Sequence, residues 1–293
     1  MRTLRLVPSA IGSARRNWRL ALALWFVQLV LAVPAALPIA GFLQAELSRF
    51  PEGDLFLQRF SLVLMTNVLF MDGAALLVLR PVIGALALLA LLANAFCAGG
   101  ALEVLLFPDH RSLAMRFGRG GGRHFGRFVR MGAAAIATAL LLGGLLSAPF
   151  WIARGALDFR AEGAKFCLAF AGSLAFLFGL LLSWLALDLA RIRIARTSGR
   201  RAVRTYFRTL GQVLRRPLRP LVLWLGLALP FGLAGALLYA ARIGFTADGA
   251  LLVLLALSLV ELGVLVRAFY RIALWSGEIT LEAAGAARGS RIV

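Results

Sequence analysis

Six stretches of this chain are apolar over roughly the length of a membrane span, and that feature limits its architecture more than any other. A helix needs about 20 mostly apolar residues to cross a hydrocarbon core of about 30 Å. The runs at 20–43, 82–107, 131–153, 166–187, 221–241 and 250–275 meet that requirement. The last is interrupted by Arg267 and Arg271, so its core is Ala250–Val266 and the two guanidiniums reach the interface on their aliphatic stems. The runs are apolar on every side and lack the alternation of barrel strands, and lipid offers no partner to an unpaired backbone group, so helices are expected. A water-facing globule is excluded, because 61% of the 293 residues are apolar and only 15% are charged. The fold class is therefore an all-α, polytopic membrane helical bundle, one integral membrane domain over 1–293.

Charge sets the orientation. Of 32 Lys and Arg, Arg2, Arg5, Arg15, Arg16 and Arg19 precede the first run, and Arg111, Arg116, Arg119, Arg123, Arg127 and Arg130 separate the second from the third. A third group, Arg191, Arg193, Arg196, Arg200, Arg201, Arg204, Arg208, Arg215, Arg216 and Arg219, separates the fourth from the fifth. The alternate segments hold only Arg49, Arg59, Arg80, Arg154, Arg160, Lys165 and Arg242, matched by seven acids. Positive residues stay on the cytoplasmic side, so both termini are expected in the cytoplasm and the chain in a bacterial inner membrane. The stretch 55–79 is long and greasy but carries Gln58, Arg59, Asn67 and Asp72. A seventh crossing there would put the two largest arginine groups outside, so it is expected to be an outer interfacial or re-entrant helix. The first run is too long for a signal-peptide core and lacks a small-x-small cleavage site, so it is expected to stay as the first span.

The chain reads as three helical hairpins. Each odd run follows a basic lead-in and carries a proline in a similar string, LAVP at Pro34, LSAP at Pro149 and LALP at Pro230. Each even run carries one carboxylate: Glu103, Asp188 and Glu261. The lead-in 197–216 is expected to be an amphipathic cytoplasmic helix, with Val203, Tyr206, Phe207, Leu210, Val213 and Leu214 as a stripe in the acyl boundary. Its arginines, Arg200, Arg201, Arg204 and Arg208, are candidate contacts for anionic lipid headgroups. Membrane lipids are thus the expected partners, and nucleic acid is not, since the positive-inside rule already accounts for the basic loops. Gly120-Gly121-Gly122, in the second lead-in, reads as a flexible hinge.

Carboxylates inside a membrane are rare and mark function or helix pairing, which makes Glu261, Asp188 and Glu103 the candidate polar site. Asp188 precedes Arg191 by one helical turn and is expected to pair with it near the interface. Glu103 is placed to accept an arginine from the next loop. His110 and His124 have no nucleophile–acid constellation around them, and the scattered carboxylates have no metal-ligand spacing, so no catalytic residue, metal or cofactor is expected. Cys97 and Cys167 read as packing residues.

With GGALEVLL, RFGRGGGRHFGRFVRMG, LDLARIRIA and the basic helix before the fifth span, the chain resembles a loose group of uncharacterised bacterial six-span proteins. That group is similar to the membrane domain preceding the catalytic barrel of some glycerophosphodiester phosphodiesterases. The barrel with its metal-binding residues has no counterpart here, so the resemblance implies an architecture and no activity. The expected role is a non-enzymatic membrane scaffold or accessory subunit working with lipid or partner proteins. The alternative is a small transporter or permease using the intramembrane carboxylates.

Overall fold

The computed structural model describes residues 5–47, 73–107, 112–156, 162–197, 199, 201–243 and 250–289. Among these residues every regular element is a helix: α1 (Leu6–Arg16), α2 (Trp18–Leu47), α3 (Gly73–Leu106), α4 (Leu113–Gly155), α5 (Glu162–Thr197), α6 (Ala202–Arg215), α7 (Leu218–Ile243) and α8 (Ala250–Gly289). Five stretches are long and apolar enough to cross a membrane: Trp18–Phe42, Arg80–Leu106, Leu113–Gly155, Glu162–Thr197 and Leu218–Arg242. The expected sixth, 250–275, is helical within α8 but is not one of the five.

The large apolar side chains left uncovered lie along these helices, with Leu141, Leu145, Ile152, Phe166 and Leu229 each more than 70% exposed. In water a surface of that kind drives association; acyl chains cover it without a penalty. The helices also run through their prolines, Pro34 and Pro38 in α2, Pro81 in α3, Pro149 in α4 and Pro230 in α7.

Two parts of the sequence reading change. Residues 55–72 of the expected interfacial helix lie outside the described residues, but Gly73–Leu79 belong to α3 and continue through Pro81 toward the span. The supposed hinge at Gly120-Gly121-Gly122 is no hinge. The helix α4 passes through it unbroken for 43 residues, starting at Ser112, whose hydroxyl caps the first turn by accepting from the Met115 amide at 3.4 Å.

The chain divides into two compact units, one built from 1–13, 94–227 and 273–293, the other from 14–93 and 228–272. In the first, α4, α5 and α6 pack on one another. Glycines set the closest approaches. A Cβ on Gly179 would come within 2.7 Å of the Gly143 backbone, and one on Gly120 within 2.3 Å of the Glu103 Cβ. The α3 segment Ala98-Gly99-Gly100-Ala101 is buried at that second crossing. Two of the three consecutive glycines are thus required by α3, since a Cβ on Gly121 would also strike the Phe96 ring. In the second unit, α7 meets α8 through Phe231 and Tyr270, edge to face at 5.8 Å between ring centroids.

Candidate functional site

The polar groups of the first unit converge where α3, α4 and α5 pack together. Close glycine packing brings α3 and α4 near enough for Glu103 Oε2 to lie 3.7 Å from His124 Nε2, with the imidazole fully buried and Glu103 nearly so. One turn along α4, Phe128 stacks on that imidazole with 5.4 Å between centroids and an interplanar angle of 21°. The Phe128 ring also receives the Arg191 guanidinium from α5, 5.7 Å from its centroid. Arg191 Nη1 in turn donates to Asp188 Oδ1 at 3.4 Å. Carboxylate, imidazole, phenyl ring, guanidinium and carboxylate therefore form one buried string across three helices.

Two of the three expected carboxylates, Glu103 and Asp188, are the ends of this string. The Asp188–Arg191 pair has the expected one-turn spacing, but it is fully buried instead of lying at an interface. Glu103 takes an imidazole where a loop arginine was expected. Arg116, one of the arginines between the second and third runs, reaches the end of α3 instead and donates to the carbonyls of Val104 at 2.7 Å and Phe107 at 2.6 Å. Both carbonyls lie at the C-terminal end of α3, so Arg116 acts as a cap for that end.

The third carboxylate, Glu261, belongs to the other unit. It accepts a hydrogen bond from the Trp25 indole at 2.8 Å, joining α8 to α2. The indole is a neutral donor, so it satisfies an oxygen without neutralising the charge.

A second polar cluster fixes α6. The hydroxyls of Ser183 on α5 and Tyr206 on α6 lie 2.7 Å apart, both buried, and Ser183 also donates to the Ala135 carbonyl of α4 at 2.9 Å. Arg193 of α5 donates through Nη1 to Thr209 of α6 at 2.9 Å and through Nε to Glu282 of α8. Arg196 donates to the Ile279 carbonyl at 3.0 Å, and Ser13 of α1 donates to Ser276 at 3.1 Å. Glu278 is buried in the same stretch of α8.

Sequence reasoning passed over Ser183, Thr209 and Glu282 and the pairing roles of Tyr206 and His124. A signal for His124 was present: Gly120, His124 and Phe128 recur every four residues and so share one face of α4.

The candidate lipid contacts divide. Arg201, Arg204 and Arg208 are exposed on α6, whereas Arg200 lies outside the described residues. The expected apolar stripe also divides, with Tyr206, Leu210 and Val213 buried in the protein and Val203, Phe207 and Leu214 exposed. Among the described residues, no group of three His, Cys, Asp or Glu is placed to hold a metal ion.

No protein-family profile, curated protein or solved structure matches the chain.

Proposed function

We propose that the chain is a non-enzymatic membrane scaffold or accessory subunit. In this reading it spans a bacterial inner membrane six times as three hairpins, with both termini in the cytoplasm and anionic lipid at its cytoplasmic face. One observation carries the proposal. Each even-run carboxylate lies against a side-chain partner within its own unit, Glu103 at 3.7 Å from His124, Asp188 hydrogen-bonded to Arg191 and Glu261 to Trp25. A transport pathway needs carboxylates that bind and release an ion along a common route. Here two of them close the ends of a packed string and the third accepts from an indole on a neighbouring helix, contacts that favour holding helices together. The exposed arginines of α4 and α6, Arg119, Arg123, Arg201, Arg204 and Arg208, supply the basic surface for partners.

Glu261 supports a second reading, a small transporter or permease, because its partner is an indole and not a counter-ion, and the residue is only half-buried. Ion flux into liposomes holding the full chain separates the two. The scaffold reading expects flux no greater than in protein-free liposomes, with Glu261→Gln indistinguishable from the parent. A cation or proton flux that Glu261→Gln abolishes would overturn it in favour of the transporter.

A further inference from the structure

The helix α6 has three faces where the sequence suggested two. At about 100° per residue, Ala202, Tyr206, Thr209, Leu210 and Val213 fall on one side, and all five are buried. Next to them, Val203, Phe207 and Leu214 fall within about 40° of one another. These are 37%, 51% and 44% exposed. Beyond that strip come Arg204, Arg208 and Arg215, again within about 40°, and all exposed. The buried face is held by the Ser183–Tyr206 and Arg193–Thr209 bonds, so α6 cannot roll and its two outer faces keep a fixed orientation.

We infer that this outer surface of α6 docks on an anionic phospholipid leaflet, Val203, Phe207 and Leu214 entering the acyl boundary while Arg204, Arg208 and Arg215 take the headgroup phosphates. Two further features select a lipid leaflet. The span-length helix α7 begins at Leu218, directly after Arg215 and the Arg216-Pro217 turn, so the end of α6 is held at the membrane entry. An apolar strip running beside a cationic row also matches the change from acyl chain to phosphate across an interface. A nucleic-acid backbone would engage the arginines but gain nothing from Phe207 and Leu214.

The proposal refines the scaffold reading by naming how its basic face meets lipid, and its test is separate from the flux assay. The full chain, with Cys97→Ala and Cys167→Ser, carries an environment-sensitive dye at Phe207→Cys, at Leu214→Cys or at Gln212→Cys on the exposed side away from the strip. It is reconstituted in phosphatidylcholine vesicles with or without phosphatidylglycerol. With phosphatidylglycerol present, the dyes at 207 and 214 should emit to the blue and be quenched by spin-labelled lipid several-fold more than the dye at 212. Replacing Arg204, Arg208 and Arg215 together by Gln should shift the emission at 207 back toward its value in water, whereas replacement by Lys should not.

Equal exposure to water at 207 and 212 would overturn the proposal. So would immersion indifferent to both phosphatidylglycerol and the Gln replacements, or shielding of 207 only by added DNA or acidic protein. The scaffold reading survives any of those results, because it stands or falls on flux through Glu261.

Discussion

The glycine triplet of α4 allows a test in which neighbouring substitutions should act in opposite directions. Replacing a helix-interior glycine by alanine removes backbone entropy from the unfolded chain and should stabilise by about 1 kcal/mol when nothing obstructs the new methyl. At Gly122 nothing lies within 4 Å of the added Cβ, so Gly122→Ala should show that gain. At Gly120 the same Cβ would sit 2.3 Å from the Glu103 Cβ and 2.7 Å from the Gly99 carbonyl oxygen. Neither atom can rotate away, because one is fixed to the α3 backbone and the other belongs to it. Relief requires α3 and α4 to separate, which also opens the Glu103–His124 contact. Overpacking of this kind costs about 1–3 kcal/mol, and an obstruction by backbone belongs at the upper end. Set against the propensity gain, Gly120→Ala should lose about 2 kcal/mol net. The two variants, two positions apart, should therefore differ by about 3 kcal/mol. Gly121→Ala should fall between them, since the atoms in its way at 2.6 Å are the far edge of the Phe96 ring, which can turn. Equilibrium unfolding of the three variants in one detergent, followed by helical circular dichroism, measures the series. Gly120→Ala as stable as the parent, or shifted in the same direction as Gly122→Ala, would refute the packing argument.

The remaining contacts give three further expectations. Removing one partner of the buried Asp188–Arg191 pair, as in Asp188→Ala, should destabilise by about 3–5 kcal/mol, and adding Arg191→Met should recover part of that loss, a coupling that a double-mutant cycle reads directly. Tyr206→Phe removes the hydroxyl facing Ser183 but leaves Ser183 its Ala135 carbonyl, so the loss should stay near 1 kcal/mol, with faster amide exchange confined to α6. Trp25→Phe takes the indole donor from Glu261 and should lower the unfolding midpoint by the equivalent of about 1–2 kcal/mol, whereas Trp25→Phe in a Glu261→Leu background should cost much less.

How far the architecture was legible depends on the solvent each helix face meets. That the described residues are helical, with five helices long and apolar enough to cross a membrane, followed from the length of the apolar runs, because lipid leaves no other way to satisfy the backbone. The Asp188–Arg191 pair was equally legible, since one-turn spacing is a local property. Partners distant in sequence were not. His124 meets Glu103 because glycines on both helices allow the approach, and Tyr206 meets Ser183 because α6 folds back on α5; no local pattern encodes either. The triplet in α4 shows the same limit from the opposite side. Glycine at one position permits a turn and at the next permits a close crossing, and which use applies is decided by Phe96 and Glu103 on another helix.

The stripe on α6 shows why periodicity loses resolving power in a membrane protein. In a water-facing helix an apolar stripe identifies the side that the protein covers, because water and protein interior differ so much. In a helix at a lipid boundary, protein and acyl chain are both apolar, and one stripe can serve both. Val203, Phe207 and Leu214 are as apolar as the residues beside them, yet it is Ala202, Leu210 and Val213, with the hydroxyls of Tyr206 and Thr209, that turn inward. The polar atoms make the distinction, because a hydroxyl facing acyl chains has no partner, whereas one facing α5 finds Ser183 or Arg193. Scattered hydroxyls within an apolar stripe therefore identify the protein-facing side of such a helix, and on α6 they leave the Phe207 side as the one inferred above to meet lipid.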